Sequence, residues 1–185
     1  MNPSFPRVKS RELGYSVPEV DLFINQARRA FDTDYSHAVS LTSENIRTVS
    51  FPAESGGYAP RVVDAALERL ETAFAERERA VGIAARGEAG WIQQANFEAA
   101  TLTARFDRKS KQRFNRAGMF ERGYSIKDVD SYSKKVLAYL QSGTPLTVSD
   151  VRSVAFRAQL GGYDEAQVDA VLDAVVALLL ARGQS

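Results

Sequence analysis

The sequence predicts a mostly α protein. Four short helical units are expected, arranged as two similar A-B pairs, with short extended segments and a connector helix between the pairs. Three observations carry this. First, one phrase occurs four times: Gly14-Tyr15 leads to Val20-Asp21, Gly57-Tyr58 to Val63-Asp64, Gly123-Tyr124 to Val129-Asp130, and Gly162-Tyr163 to Val168-Asp169. A fixed offset recurring at intervals of tens of residues marks a repeat architecture. Second, each phrase opens an apolar stripe with helical period. Third, the copies are of two kinds. In the first and third, a Phe lies ten residues before the Tyr (Phe5, Phe114); in the second and fourth it lies seven before (Phe51, Phe156). Tyr15 and Tyr124 are 109 residues apart and Tyr58 and Tyr163 are 105 apart, so the order A-B occurs twice.

The first pair is expected over residues 1–84, with units at 5–33 and 41–84. Its first helix carries Val20, Phe23, Ile24, Ala27 and Phe31 on one face, the 3.6-residue period of a one-sided helix. Ser16 with Glu19 fits a capping box, and Pro18 and Pro60 are tolerated in first turns. The second stripe is Val63, Ala66, Leu67, Leu70 and Phe74. Ahead of it, a lead-in from Leu41 reads as a short helix capped by Thr42, with Glu44 in its first turn. Val49–Phe51 then reads as an extended piece.

The stretch 85–109 is the expected connector. Arg86–Gly90 reads as a break, after which Trp91, Ala95, Ala99, Leu102 and Phe106 follow a helical period. So apolar a helix should dock on one of the pairs, with Trp91 as an anchor. The second pair is expected over 110–185, with units at 112–142 and 146–182. Its stripes are Val129, Tyr132, Ser133, Val136, Leu140 and Val168, Val171, Leu172, Val175, Leu179; Ser133 is the one polar break. Thr147 and Asp150 repeat the cap of the lead-in, and Val154–Phe156 the extended piece. No unit of this size can bury its own stripe, so A should pack on B within each pair.

Within the phrase, Gly14, Gly57, Gly123 and Gly162 serve either a turn with positive φ or a close backbone approach. Tyr15, Tyr58, Tyr124 and Tyr163 would cover the helix starts. Asp21, Asp64, Asp130 and Asp169 either favour the helix dipole early in the helix or, for Asp64 and Asp169, pair with Arg47 and Arg152 of the lead-in.

Net charge is +1 and there is no Cys. No global field draws nucleic acid or membrane, and disulfides and thiolate chemistry are excluded. Residues 1–9 lack the apolar core of a signal peptide, and the longest apolar run, 174–181, is too short to span a bilayer. A cytoplasmic protein is expected. The single His, His37, lies in a polar loop, which excludes a catalytic triad or His-rich metal site; no phosphate-binding or dinucleotide fingerprint is present. No catalytic, cofactor-binding or metal-ligating residues are assigned. One segment is locally basic: seven cations fall between Arg105 and Arg122 against Asp107 and Glu121, interleaved with Phe106, Phe114, Met119 and Phe120. Such a segment is either a solvated turn or a contact for nucleic acid or an anionic membrane.

The lead-in and phrase together, Leu41-Thr42…Ile46-Arg47…Phe51…Gly57-Tyr58…Val63-Asp64…Leu67 and Leu146-Thr147…Val151-Arg152…Phe156…Gly162-Tyr163…Val168-Asp169…Leu172, resemble the N-terminal domain of DivIVA-type proteins. The B copies match over about 30 residues each, the A copies mainly in Gly-Tyr, Val-Asp and the stripe. The chain is similar to bacterial DivIVA-domain repeat proteins. The resemblance implies a non-enzymatic interaction or scaffold module of cell division or polar growth, working with protein partners at the inner face of the membrane, at a pole or septum. It departs from the family in having no long heptad run after any unit. The family's membrane wedge, an apolar residue and Arg directly before Gly-Tyr, is matched by Ser55-Gly56 and Leu160-Gly161 without the Arg. Met119, Phe120 and Arg122 keep a looser version around Glu121, and Arg11 and Leu13 stand near the first phrase. The expected contact residues are therefore Met119, Phe120, Arg122, Arg11, Leu13 and Leu160. The alternatives are peripheral membrane binding through the Met119–Arg122 loop and nucleic-acid binding through segment 105–122.

Overall fold

The structure, a computed structural model, describes residues 5–32 and 41–184. Those residues form six helices and four three-residue strands. In chain order these are β1 (Leu13–Tyr15), α1 (Val17–Asp32), α2 (Ser43–Thr48), β2 (Ala53–Ser55), α3 (Pro60–Phe106), β3 (Arg122–Tyr124), α4 (Ile126–Ser142), α5 (Val148–Arg152), β4 (Ala158–Leu160) and α6 (Glu165–Ala181). The chain divides into two compact units, Met1–Val81 and Gly82–Ser185.

Each unit holds one antiparallel two-stranded sheet. β1 pairs with β2, Leu13 opposite Ser55 and Tyr15 opposite Ala53; β3 pairs with β4, Arg122 opposite Leu160 and Tyr124 opposite Ala158. The strands thus begin two residues beyond the expected extended pieces at 49–51 and 154–156. The reason is tertiary. Phe51 and Phe156 point their rings at Tyr15 and Tyr124, with centroids 5.5 and 5.2 Å apart, and pairing starts only once the chain has passed that contact.

The tyrosines of each unit meet backbone to backbone. Tyr15 N–H donates to the Tyr58 carbonyl (2.9 Å) and Tyr58 N–H to the Tyr15 carbonyl (2.8 Å); Tyr124 and Tyr163 do the same, at 2.9 Å each way. This contact decides the glycines. A Cβ on Gly14 would lie 2.7 Å from the Gly57 carbonyl carbon, and one on Gly162 would lie 2.8 Å from that of Gly123. Of the two roles open to them, the phrase glycines serve close approach. The positive φ falls one residue earlier in the B copies, at Gly56 (70°) and Gly161 (59°).

Local signals explain the short helices. Thr42 with Asn45 and Thr147 with Asp150 form capping boxes that satisfy otherwise orphaned amides. α2 is held on α3 by Ser43, whose N–H and hydroxyl donate to Glu78 (2.7 and 2.6 Å), and by Arg47, which pairs with Glu71 at 2.8 Å. The stripes do form the cores: Val20, Ile24 and Val63 are buried with Tyr58 in the first unit, and Val129, Val136, Val168, Val175 and Leu179 are buried in the second. The polar break Ser133 is buried at no cost in unmade hydrogen bonds, because its hydroxyl donates to the Val129 carbonyl (2.7 Å).

The break expected over Arg86–Gly90 shrinks to one residue. Gly87 takes φ 74°, ψ 161° inside α3, and helical geometry resumes after it. Beyond it Ala95, Ala99, Leu102 and Phe106 are buried. Trp91 donates Nε1–H to the Ala181 carbonyl at the end of α6 (2.9 Å). The stretch expected as a connector therefore belongs to the second compact unit.

Candidate functional site

The four phrase tyrosines and four phrase aspartates meet each other, in a crossed pattern. Tyr58 OH donates to Asp21 Oδ1 (3.0 Å), and Tyr15 donates to Asp64. In the second unit Tyr163 OH donates to Asp130 Oδ1 (3.0 Å) and Tyr124 OH to Asp169 Oδ2 (3.3 Å). Each hydroxyl thus reaches the helix that follows the other tyrosine. The upstream phenylalanines cross too: Phe5 packs edge-on against Tyr58, and Phe114 against Tyr163, both with centroids 5.3 Å apart. One expected pairing, Arg47 with Asp64, is corrected here. The aspartate acceptors are used by tyrosines, and Arg47 turns to Glu71 instead of Asp64. The side chains of the phrase are consumed in building each unit.

The aspartates are not equivalent. Asp130 receives Ser110 Oγ (2.6 Å), the Lys111 amide (2.9 Å) and Arg113 Nη1 (2.8 Å) besides Tyr163. Burial pushes its carboxyl up, but these donors outweigh burial and hold it below its ordinary value. Arg113, as buried as its partner, also donates Nε–H to the Phe106 carbonyl (2.7 Å). Asp169 moves the other way: burial raises it, the Tyr124 hydroxyl only partly offsets that, and the charge of Asp173 adds to the rise. Tyr163 and Tyr124 are both raised, burial being the largest cause, so both remain donors at neutral pH.

The expected contact residues lie at the free end of the sheets. In the second unit Met119 and Phe120 are 80% and 88% exposed, and Leu160, opposite exposed Arg122 in the β3–β4 register, is 61% exposed. Glu121 explains the projection. Its carboxylate accepts from Gly118 N–H (3.1 Å), its own N–H donates to the Gly118 carbonyl (2.9 Å), and its carbonyl accepts from Gly161 N–H (2.9 Å). The acid that interrupts the wedge in sequence is itself exposed, but its carboxylate bonds back to Gly118 and closes the turn on which Met119 and Phe120 stand exposed. The first unit builds the same turn, with Gly56 N–H donating to the Glu12 carbonyl (3.0 Å), but only Leu13 is a large exposed apolar residue there, 67% exposed beside exposed Arg11. The two ends thus differ: Met119, Phe120, Leu160 and Arg122 come together, whereas Arg11 and Leu13 lie in the other unit.

The basic segment does not act as one stripe. Arg113 is buried in its ion pair, Arg116 lies over the Tyr163 ring (5.9 Å), and Arg122 stands at the sheet end. Lys111 and Arg116 line an open groove of about 660 Å³ together with Lys127 and Lys134 of α4. The last two lie outside the segment that sequence reading singled out. Nothing local marks them; only the helix places them opposite Lys111.

His37 lies outside the described residues. Among the described residues no group of three or more His, Asp or Glu side chains is placed to hold a metal ion, and no helix is long and apolar enough to cross a membrane. Comparison with protein-family models, with curated proteins and with solved structures finds no match.

Proposed function

We propose that this protein is a non-catalytic interaction module built from four DivIVA-like units in two A-B pairs, and that it works through the apolar end of its second pair on an anionic membrane surface. The repeat reading is supported by contacts that recur at the offsets of 109 and 105 residues: the paired tyrosine backbones, the crossed Tyr–Asp bonds and the crossed Phe–Tyr packing. Crossing within a pair is what two copies of one ancestral unit would do when each completes the other's core.

The observation that carries the functional reading is that Met119 and Phe120 stand exposed on the turn closed by Glu121, beside Arg122, with exposed Leu160 opposite Arg122 in the strand pairing. Exposed large apolar side chains grouped at one place mark an interaction surface. Each would gain about 1.5–3 kcal/mol if fully buried, and each nearby cation adds about 1 kcal/mol at an anionic leaflet. Together with the resemblance to DivIVA-domain proteins, this supports the reading that the module works at the inner membrane face of a dividing or polarly growing bacterial cell, where protein partners would be recruited.

Cosedimentation of the full chain with anionic vesicles tests it. Pelleting that weakens with salt and is lost in Phe120→Ser with Arg122→Glu is expected. No pelleting at low salt would overturn the membrane reading and leave a soluble adaptor as the use of the repeats; pelleting unchanged in the double variant would refute this loop as the contact.

A further inference from the structure

We propose that the groove between the Ser110–Arg116 loop and α4 is a binding site for a phosphate-ester anion, carried by a small phosphorylated ligand or by a lipid headgroup. Four cations line it: Lys111, Arg116, Lys127 and Lys134. None makes an ion pair among the described residues, although other exposed cations of this unit do, Lys135 with Asp150 (3.1 Å) and Arg157 with Asp128 (2.6 Å). The one carboxylate in the lining is Asp130, and its oxygens already take four donors, Arg113 neutralising it. Four cationic residues gathered in one lining repel each other, and the one carboxylate among them is already neutralised by Arg113. At about 660 Å³ the groove is the size of a small-ligand site. A monovalent anion would leave most of that charge uncompensated; a phosphate ester, with near two charges and several acceptor oxygens, matches it.

Two further facts separate this groove from an ordinary solvated surface. Lys111 is the only non-glycine residue with positive φ (68°) among the described residues. That conformation is costly outside glycine and tends to occur at functional positions. It is held by the Asp130 carboxylate, which accepts both the Lys111 amide and the Ser110 hydroxyl. The second fact uses the repeat reading, on which this part of the inference rests. Counting back 109 residues from Lys127 and Lys134 reaches Pro18 and Asn25, and counting back 105 from Gln159, also in the lining, reaches Glu54. The first pair carries Pro18 and Asn25 where the second carries Lys127 and Lys134, and an acid where the second carries Gln159. The basic groove is therefore no by-product of the fold; one pair carries it and the other does not.

The test is calorimetric titration of the full chain with sodium tripolyphosphate, beside vesicles containing phosphatidic acid. Wild type should bind in at least one arm. Lys127→Glu with Lys134→Glu should weaken that binding about tenfold or more, since hydrogen bonds to charged groups are lost at both positions. Both side chains are exposed, and an unchanged melt would show the variant folded. Lys135→Glu, outside the groove, should leave binding intact. Tripolyphosphate binding without vesicle binding would support the groove while removing the membrane reading. Vesicle binding lost in the groove variant but retained in Phe120→Ser would assign the headgroup as the ligand. Binding in neither arm, equal loss in Lys135→Glu, vesicle binding dependent on Phe120 and Arg122 alone with no tripolyphosphate binding, or affinity only for duplex DNA would each overturn the proposal.

Discussion

Replacing Asp130 by Ala should cost far more than replacing Asp21, although both follow Val in the same phrase. Asp130 accepts four hydrogen bonds, one from Arg113, and the two side chains of that pair are each 9% exposed. Removing the carboxylate leaves the guanidinium charged, buried and without its counter-ion, a loss of about 3–5 kcal/mol. Asp21 is half-buried and takes the Tyr58 hydroxyl; losing that bond should cost about 1–2 kcal/mol. The assay is urea unfolding followed by tryptophan fluorescence. Trp91 is the only Trp and its indole is bonded to Ala181 within the second compact unit, so its emission follows the unfolding of that unit. With an m-value of about 2 kcal/mol/M, the Asp130→Ala midpoint should fall by about 1.5–2.5 M, while Asp21→Ala should leave the tryptophan transition in place. The difference should also depend on pH. The Asp130 carboxyl is held below its ordinary value, so its stabilisation is complete above about pH 4 and is lost as the pH falls through the folded value. Wild type and Asp130→Ala should therefore converge in acid. A midpoint shift below about 0.5 M at neutral pH, or an equal shift from Asp21→Ala, would refute the reasoning.

Other outcomes follow from the same contacts. Gly162→Ala should destabilise the second unit by about 2–3 kcal/mol, because the new Cβ meets the Gly123 carbonyl and the Tyr124 carbonyl oxygen, both backbone; Gly143→Ala, whose Cβ meets nothing, should cost only about 1 kcal/mol for its φ of 70°. Val168→Asp, a charge placed at a buried position, should abolish the near-ultraviolet circular dichroism of the second unit. Tyr132, pushed up to about 12 by burial and then by the charge of Asp150, should contribute the late part of an ultraviolet tyrosine titration, and Tyr132→Phe should remove it. Phe120→Ser, at an exposed position, should leave the unfolding free energy within about 0.5 kcal/mol of wild type.

What the sequence determined by itself was whatever depends on neighbours along the chain. Helical stripes, the Thr42 and Thr147 caps and the four-fold phrase are written in offsets of three to eleven residues, and α1, α2, α4, α5 and α6 appear where those offsets put them. Even the glycines declared that something unusual happens at the phrase. What only the tertiary structure decided was which groups meet. Tyr58 finds Asp21 across 37 residues and Tyr163 finds Asp130 across 33, and no local spacing distinguishes those partners from the aspartate of the same segment. Phe51 and Phe156 pack on tyrosines of the other segment just before the strands at Ala53 and Ala158 begin. Glu121 reads as an interruption in sequence, yet its carboxylate closes the turn on which Phe120 stands exposed. Lys127 and Lys134 look like an ordinary solvated helix face until the Ser110–Arg116 loop is set opposite them. Hydrogen bonds and burial act over a few ångströms in space, and residues tens of positions apart come within that range only when the chain has folded.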